Sequence, residues 1–438
     1  MMGIRWIQEE SMNRKFETNA IHGAYTPEQE TKAAAVPVYR TAAYTFRDTD
    51  HAAGLFSLEE KGHIYSRISN PTCEVLENRM ALLEGGKGAL VLASGTSAVF
   101  YSVINLCRSG DEIIASRNLY GGTFTMFNNI LPQFGITARL VDINDQESVA
   151  AAVSEKTRLI YCETLGNPTL EAADIEETAK TAHRAGLPLI VDSTFTPPCM
   201  FRPVDYGADI VIHSMTKWLG GHGTAIGGVV VDSGGFSWDS ARFPLFTEPD
   251  ESYHGIVWGR DLGESNDIAF LVRMRTVPLR NLGACISPDN AWLFLQSLET
   301  LSLRMERHNS NAMETARFLK SHPNVAWVRY PGLPEDPSHP AASRYFRGGF
   351  GGMVVFGIKG GKKAGEDFIN RLELFSHLAN VGDAKSLAIH PASTTHAQLT
   401  EAQQKQAGIG PDLIRLSVGL EHIDDILADL KNVLEKVD

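Results

Sequence analysis

The sequence has few cysteines, and their spacing argues against a disulfide framework. Its 438 residues include five cysteines, an odd number, and no two of them have the Cys-x-x-Cys spacing of zinc sites and redox motifs. We therefore expect no structural disulfide or metal site, and a reducing compartment such as the cytoplasm. The cysteines are at positions 73, 107, 162, 199 and 285.

The sequence also lacks a long apolar run and an excess of positive charge. No stretch of about 18 apolar residues occurs, so no transmembrane helix is expected. Charged residues interrupt the apolar residues of segment 1–16, which argues against a signal peptide. Acidic residues outnumber basic ones by 52 to 40, and the net charge is -12, whereas non-specific nucleic-acid binding requires a basic surface. We expect neither a membrane nor a nucleic-acid partner.

What is present is an alternation of short apolar strands and amphipathic helices over residues 74–230. One of the predicted helices covers 123–134. This alternation is typical of an α/β fold with a mostly parallel sheet covered on both faces. In such sheets the functional site lies at the carboxyl ends of the strands. The polar residues at or just past predicted strand ends are Ser94, Glu163, Asp192 and Lys217.

The second half of the chain predicts further structure beyond the central sheet. Residues 232–263 are rich in Gly, Pro, Phe and Asp without periodicity, and we interpret them as a long surface excursion. Residues 288–319 have apolar positions at helical spacing. Three apolar segments after this helix predict the strands of a smaller C-terminal α/β domain. These segments are 325–330, 352–357 and 413–417.

The segment HSMTKWLGGHG (213–223) carries the strongest chemical signal. A lysine, Lys217, follows an apolar run and is flanked by the hydroxyl residues Ser214 and Thr216. A partly buried lysine has a lowered pKa, which frees its amine to form a Schiff base, and the hydroxyls can donate to a phosphate. Asp192, at an earlier strand end, is the partner that a pyridinium nitrogen requires. The alternatives are a solvated lysine and an aspartate that only caps a turn.

Further candidates have a functional and a structural interpretation each. Gly95 and Thr96 open a helix after a strand, where backbone N–H groups bind phosphate, but they could form an ordinary cap. Tyr120 could stack on a planar cofactor or pack in the core. Arg415 lies inside an apolar strand and needs an anion, which could be a substrate carboxylate or a structural salt bridge. Asn167 could belong to a site or to a turn.

Tyr65 and Arg67 lie before the α/β region. A tyrosine and an arginine separated by one residue can clamp a phosphate, because arginine forms bidentate bonds. At this point of the chain they could reach a site only from an N-terminal arm. The alternative is a surface pair.

Taken together, these segments resemble the Cys/Met-metabolism family of fold-type I pyridoxal-phosphate enzymes. The resemblance runs from about residue 16 to the C-terminus. It implies an aspartate-aminotransferase-like fold with an arm over 1–70 that reaches a neighbouring subunit, a cofactor-binding large domain over 71–285, and a small domain over 286–438. The matching segments are YSRISNPT, ASGTSA, LYGGT, ETLGNP, VDSTF, HSMTKWLGGHG, NVGDAKSLAIHPASTTH and IRLSVGLE.

The resemblance implies a role for each candidate residue. Lys217 resembles the Schiff-base lysine, Asp192 the pyridinium partner and Tyr120 the ring-stacking tyrosine. Asn167 corresponds to the residue near the ring hydroxyl. Arg415 corresponds to the substrate-carboxylate arginine, and Asn380 stands where many relatives carry a serine near the substrate. The implied phosphate ligands are Gly95, Thr96, Ser214 and Thr216, with Tyr65 and Arg67 reaching the phosphate of the neighbouring subunit.

Within this family the sequence is most similar to O-acetyl-L-homoserine sulfhydrylases. Gly122 stands where methionine γ-lyases typically carry a cysteine, and the insertion at 231–255 and the loop at 377–396 resemble the sulfhydrylase versions. The resemblance implies a homotetramer that replaces acetate with sulfide or methanethiol to give homocysteine or methionine. The alternatives are a methionine γ-lyase, a cystathionine γ-synthase type of reaction, and a non-catalytic regulator that binds pyridoxal phosphate.

Overall fold

The computed structural model describes residues 14–395, 397, 400 and 408–437. Two β-sheets organise this part of the chain, a seven-stranded sheet and a five-stranded sheet. Within the described residues, no helix combines the length and the apolar character needed to cross a membrane. The five cysteines are free thiols. The α/β architecture with a larger and a smaller sheet confirms the predicted fold class.

The larger sheet has the strand order β1-β7-β6-β5-β4-β2-β3, and its strands from β2 to β6 are parallel. Neighbouring residues along a strand contact opposite cores. Val191 and Val211 belong to one cluster, whereas Ile190 and Ile212 belong to the other. Both faces are therefore covered, as the apolar strands predict. The seven strands are β1 (Gly88–Leu92), β2 (Glu112–Ser116), β3 (Thr137–Val141), β4 (Thr157–Glu163), β5 (Leu189–Asp192), β6 (Ile210–Ser214) and β7 (Gly228–Asp232).

Strand β7 is an element that the sequence pattern does not reveal. It pairs antiparallel with both β1 and β6 and is buried along its length. A glycine-rich run precedes it, which reads as a turn in the sequence. Since β1 and β6 both run antiparallel to β7, they run in the same direction as each other. The carboxyl ends of β1, β2, β4, β5 and β6 consequently lie at one edge of the sheet.

The smaller sheet has the order β10-β11-β12-β9-β8, with β12 at its centre. Strand β12 pairs antiparallel with β11 on one side and β9 on the other. Its middle residue, Arg415, is opposite Ile389 and Val355. The five strands are β8 (Val325–Arg329), β9 (Met353–Ile358), β10 (Ser376–His377), β11 (Leu387–Ile389) and β12 (Leu413–Ser417).

The helices begin where the sequence supplies caps. The helix over Pro71–Glu84 starts with proline at its first position, and the Asn70 side chain accepts a hydrogen bond from the N–H of Thr72. It ends at Gly85, which adopts a left-handed conformation with φ of 79°. The α-helices are α1 (Phe16–His22), α2 (Thr49–Phe56), α3 (Pro71–Glu84), α4 (Gly95–Ile104), α5 (Gly121–Thr125), α6 (Gln146–Ala152), α7 (Ile175–Arg184), α8 (Pro244–Thr247), α9 (Ala269–Met274), α10 (Arg280–Leu282), α11 (Pro288–Glu299), α12 (Leu301–Ser321), α13 (His339–Tyr345), α14 (Gly361–Arg371) and α15 (Ile423–Leu434).

Two predicted helices are divided in the structure. The segment 123–134 consists of the end of α5, a π-helical turn over Met126–Ile130 and a 3-10 turn over Leu131–Phe134. Pro132 has no N–H to continue an α-helix, which explains the change of hydrogen bonding. The segment 288–319 is divided between α11 and α12 at Thr300, whose ψ of 11° interrupts the helical geometry.

The prediction of a surface excursion over 232–263 is wrong for its aromatic residues. Trp238, Phe243, Phe246 and Trp258 are almost completely buried. They pack in the same core as the β-strands on one face of the larger sheet, and Trp238 stacks on Phe246 with ring centroids 5.1 Å apart. The segment lacks periodicity because it covers the core as an irregular chain, and burial of its aromatic side chains stabilises it there.

Candidate active site

The candidate site lies at the carboxyl edge of the larger sheet. Ser94 follows β1, Tyr120 follows β2, Glu163 ends β4, Asp192 ends β5 and Ser214 ends β6. Glu163 and Asp192 are opposite each other in register on neighbouring strands. The geometry of parallel strands therefore brings together residues that are as far as 120 positions apart in the chain.

Lys217 lies in a turn directly after β6. Its N–H donates to the carbonyl of Ser214 at 3.2 Å, and its carbonyl accepts from Gly221 at 2.7 Å. The Lys217 Nζ donates to Oδ1 of Asn380 at 2.6 Å. Asn380 lies between β10 and β11, so this hydrogen bond joins the lysine turn to the smaller sheet.

The pKa of Lys217 is lowered to about 8. Burial of the amine is the larger cause, and the positive charge of Arg415 is the second. Both effects disfavour the ammonium form. About a tenth of this amine is consequently neutral at pH 7, far more than for an ordinary lysine, and a nucleophile or a general base requires the neutral form.

Arg415 carries a buried charge on the central strand of the smaller sheet. Its side chain is only 8% exposed, and its Nη1 donates to Oδ1 of Asn167 at 3.0 Å. Among the described residues, no carboxylate forms an ion pair with it, and burial lowers the pKa of Arg415 to about 10. A buried guanidinium without a counter-ion is costly. Among the described residues no acidic side chain forms a structural salt bridge with Arg415, which favours an external anion as its partner.

Asp192 is held by hydrogen bonds from its neighbours. Its Oδ1 accepts from the N–H of Thr194 at 2.9 Å, and its Oδ2 accepts from the hydroxyl of Tyr161 at 3.4 Å. Burial raises the pKa of Asp192, whereas the hydrogen bonds from Thr194 and the charge of His213 oppose this rise. In the described residues it has no Lys or Arg partner. This carboxylate is therefore available to a cationic group from outside the chain.

The start of α4 forms a small cradle beside Ser214. Ser94 caps this helix by accepting from the N–H of Ser97 at 3.0 Å. A Cβ atom on Gly95 would lie 2.6 Å from the Cβ of Ser214, so only glycine allows this close approach. Thr96 is exposed beside it. The first N–H groups of a helix have no partner within the helix, and they favour an anion such as phosphate.

Thr216 is arranged differently from Ser214. Its hydroxyl donates to the carbonyl of Gly227 at 3.3 Å and accepts from the N–H of the same residue at 3.2 Å. These two bonds are long and close the loop between Lys217 and β7. To donate to a phosphate, the hydroxyl would have to exchange its bond to Gly227.

Tyr120 is exposed at the edge of the site, with 51% of its surface accessible. Its backbone N–H donates to Oε1 of Glu163 at 2.6 Å. A Cβ on Gly122 would lie 2.5 Å from a ring carbon of Tyr120. The glycine at this position therefore determines where the ring can lie.

Tyr65 and Arg67 are not brought to the other candidates within one chain. The guanidinium of Arg67 lies 5.3 Å from the centroid of the Tyr65 ring and donates to the carbonyl of Arg280. Both side chains are exposed. Among the described residues, neither of them contacts Lys217 or Asp192, so within one chain they do not join the site.

Three residues of the site were not assigned a role from the sequence. Glu163, Tyr161 and Thr194 surround Asp192. Side chains alternate along β4, so Tyr161 and Glu163 lie on the same face, and the strand pattern in the sequence is sufficient to predict this. The hydroxyl of Thr194 also accepts from the N–H of Ser214 at 2.8 Å, a contact that no sequence pattern announces.

The lowered pKa of Lys217 predicts a pH-dependent effect on stability. The folded protein holds this amine at a pKa of about 8, against 10.5 as the ordinary value. Below pH 8 the protein bears the full cost of burying the charge, and stability rises with pH between the two values. We expect Lys217→Met to stabilise the ligand-free protein by about 1–3 kcal/mol at pH 7, with the difference shrinking toward pH 10.5.

Urea unfolding of both proteins at several pH values measures this difference. Lys61→Met, at an exposed position, is the control, and we expect it to have little effect at any pH. A Lys217→Met variant whose stability relative to wild type is independent of pH would contradict the assignment of a buried, depressed amine.

Comparisons with known proteins agree with this geometry. A family model described as "Cys/Met metabolism PLP-dependent enzyme" matches residues 17–435. The chain is 51% identical to an O-acetyl-L-homoserine sulfhydrylase of Leptospira meyeri over 98% of this chain and 99% of that protein. It is 49% identical to a homocysteine synthase of Schizosaccharomyces pombe over 96% of this chain and 98% of that protein.

A solved structure is also similar. An O-acetylhomoserine (thiol)-lyase from Campylobacter jejuni matches with a TM-score of 0.93 and 41% identity, over 96% of this chain and all of that one. That structure contains N′-pyridoxyl-lysine-5′-monophosphate, in which the cofactor is joined to a lysine. Three features of the site fit this cofactor: a partly buried lysine with a lowered pKa, a carboxylate that has no Lys or Arg partner among the described residues, and a glycine cradle at a helix start. The chain therefore belongs to the Cys/Met-metabolism family of pyridoxal-phosphate-dependent enzymes.

Proposed function

We propose that this enzyme replaces the acetyl ester of O-acetyl-L-homoserine with a sulfur nucleophile. The bond between the γ carbon and the acetate oxygen breaks, a bond from the γ carbon to sulfur forms, and acetate leaves. Sulfide gives homocysteine, and methanethiol gives methionine. The observation that carries the proposal is that Arg415 is buried without an acidic partner in the described chain and lies near the Lys217 amine, whose pKa is lowered, in a chain that is similar to a named sulfhydrylase.

The residues at the sheet edge fit the cofactor. We assign Asp192 to the ring nitrogen, Tyr120 to the ring face and Asn167 to the ring hydroxyl. When bound, pyridoxal phosphate supplies an electron-withdrawing ring that stabilises negative charge next to the substrate amine. Asp192 fits its role because it is a carboxylate without a Lys or Arg partner in the described chain. The phosphate is assigned to Gly95, Thr96, Ser214 and Thr216, with Lys217 as the lysine that holds the aldehyde.

Lys217 is assigned the proton transfers. Its amine must be neutral to accept a proton from the α carbon of the substrate, and a pKa of about 8 leaves it partly neutral at neutral pH. The hydrogen bond to Asn380 holds the Lys217 amine in a defined position when the amine is not bonded to the cofactor. The same amine then returns protons as the product forms.

Arg415 is assigned the substrate carboxylate. A guanidinium can bind a carboxylate with two parallel hydrogen bonds, and here it faces no protein carboxylate in the described chain. Because its charge lowers the pKa of Lys217, a bound carboxylate that neutralises it raises the proton affinity of the lysine. Substrate binding thereby makes Lys217 a stronger base at the time when a proton must be removed. Asn380 and Tyr65 are assigned to the same substrate pocket.

Gly122 supports γ-replacement over γ-elimination through the resemblance, because methionine γ-lyases typically carry a cysteine at this position. A side chain at this position would meet the ring of Tyr120 at 2.5 Å, so the cysteine typical of methionine γ-lyases would displace that ring. The segment 231–255 supports the same assignment, because it resembles the sulfhydrylase insertion; its Trp238 and Phe246 are part of the core.

We further propose that the active unit contains at least two chains. A tetramer built as a dimer of dimers would be consistent with the closed symmetry of most soluble oligomers. Tyr65, with 41% of its surface accessible, and the exposed Arg67 support this, because they face outward and could reach a neighbouring phosphate. The arm would cover 1–70, the large domain 71–285 and the small domain 286–438. Residues 1–13 of the arm lie outside the described part. We place the enzyme in the cytoplasm.

A product assay tests the main proposal. We expect the purified holoenzyme to form homocysteine from O-acetyl-L-homoserine and sulfide, or methionine from methanethiol, with acetate released in equal amount. Lys217→Ala should lower turnover by roughly 10³-fold or more, because one group supplies both the nucleophile and the base. Mass spectrometry of the amino-acid product is the measurement. Faster formation of an α-keto acid from methionine than of the replacement product would establish a γ-lyase instead.

A substitution at Arg415 tests carboxylate binding. Arg415→Gln should lower kcat/KM for O-acetyl-L-homoserine by about 10- to 100-fold, because a charge-assisted bond contributes about 1.5–3 kcal/mol. Arg415→Lys should recover only part of this loss, since lysine cannot form the bidentate pair. Arg371→Gln, at an exposed helix end, is the matched control. If Arg415→Gln has the same kcat/KM as this control, the carboxylate is bound elsewhere.

A substitution at Arg67 tests the contact between subunits. We expect Arg67→Ala to weaken cofactor retention about tenfold through loss of a charge-assisted bond to phosphate, without unfolding the chain. Cofactor content after dialysis is measured by absorbance, beside the thermal midpoint. The control is Arg47→Ala, which removes an exposed arginine that pairs with Glu60 at 2.9 Å in the same arm. Unchanged cofactor content in Arg67→Ala would rule out the role in trans.

A further inference from the structure

Glu163 is a buried carboxylate at the candidate site that the proposed reaction does not use. It ends β4, directly opposite Asp192 of β5 in the register of the two strands. Only 8% of its surface is exposed. Because side chains at opposed positions of neighbouring strands point to the same face, the two carboxyl groups share one environment.

The two acids differ in the hydrogen bonds they receive. Asp192 accepts from the N–H and the hydroxyl of Thr194 and from the hydroxyl of Tyr161. Glu163 accepts one bond among the described residues, from the N–H of Tyr120 to Oε1 at 2.6 Å. Hydrogen bonds from donors favour an ionised carboxylate. Asp192 is therefore the better place for the negative charge, and the second oxygen of Glu163 is available to carry a proton.

The charges around the pair lead to the same assignment. In the described chain neither acid forms an ion pair with Lys or Arg. The titratable groups on the surrounding elements are Tyr161 and Cys162 on β4, His213 on β6 and Tyr120 after β2. Burial and the charge of Asp192 raise the pKa of Glu163 well above its usual range. A single cationic ring nitrogen would compensate for one carboxylate, not two.

We propose that Glu163 is a positioning residue with two roles. One oxygen of its carboxyl group stays protonated, so that Asp192 alone is ionised, and the other oxygen accepts the hydrogen bond from the Tyr120 backbone N–H. One side chain would thereby connect the acid that faces the ring nitrogen with the aromatic residue that faces the ring. The proposal rests on the proposed roles of Asp192 and Tyr120 toward the cofactor. Glu163 itself needs no contact with the substrate.

The protonation state is tested by infrared spectroscopy of the holoenzyme at neutral pH. The difference spectrum of wild type minus Glu163→Gln should contain the carbonyl-stretch band of a protonated carboxylic acid. Loss of a carboxylate band instead, with no protonated-acid band, would overturn the proposal. The difference spectrum of wild type minus Asp232→Asn shows where the band of a protonated, buried carboxylic acid lies in this protein. Asp232 is fully buried at the other end of the same sheet, and its pKa is raised to about 8.

The tether to Tyr120 is tested by the dissociation constant of pyridoxal phosphate from the refolded or dialysed protein. Glu163→Gln keeps an oxygen acceptor and the neutral charge, and we expect its dissociation constant to be within about threefold of wild type. Glu163→Ala removes the acceptor and should weaken binding by about tenfold or more. Asp232→Asn should leave the constant unchanged. An alanine variant that binds as tightly as wild type would overturn the tether.

Two further measurements, the pH midpoint of the cofactor absorbance and the turnover of the wild type, distinguish a failure of the Glu163 proposal from a failure of the proposed function. The pH midpoint of the bound-cofactor absorbance should be the same in wild type and Glu163→Gln, and a shift of more than about one pH unit would mean that Glu163 is ionised. Should the alanine variant fail to fold, this midpoint and the infrared band still decide. Turnover of O-acetyl-L-homoserine by the wild type is measured first, so a failure of the proposed function is recognised independently of Glu163.

Discussion

The chemistry that we propose depends on one interaction: a partly buried amine lies beside a buried guanidinium that has no acidic partner in the described chain. The pKa of Lys217 is lowered to about 8 because burial removes much of its hydration and because the positive charge of Arg415 disfavours its ammonium form. Arg415 in turn is buried on β12 without an acidic partner in the described chain. Different parts of the fold carry the two cations: Lys217 lies in the turn after β6 of the larger sheet, and Arg415 lies on β12 of the smaller sheet. In the mechanism that we propose, this arrangement prepares the site to bind an anion before any substrate arrives.

This arrangement requires the lysine turn to be rigid, and the neighbouring helix provides that rigidity. Arg304 of α12 donates to the carbonyls of Trp218 at 2.7 Å and of Ser297 at 2.9 Å. A Cβ on Gly382 would lie 2.6 Å from the N of Trp218, so the loop that carries Asn380 packs directly on the turn. The amine of Lys217 is consequently fixed relative to both sheets. Such support determines how precisely a proton can be transferred.

Much of the fold could be predicted because its strands are short, apolar and separated by amphipathic helices. The ends of β4 and β5 at Glu163 and Asp192, and the position of Lys217 just after β6, follow from that alternation alone. Strand β7 could not be predicted, since a glycine-rich run hides its start. The buried Trp238 and Phe246 were also missed, because an irregular segment that covers a core has no periodicity to detect.

The sequence alone was enough to predict the family and the cofactor, and to propose Lys217 as the lysine that holds it, because Lys217, its flanking hydroxyls and Asp192 are local signals with fixed spacing. Tertiary structure alone decided how these residues act on one another. It paired Glu163 with Asp192, placed Asn380 at 2.6 Å from the amine and left Arg415 without a carboxylate in the described chain. The physical reason is that a pKa and a hydrogen bond depend on burial and on neighbours from distant elements, and no local pattern in the chain records them.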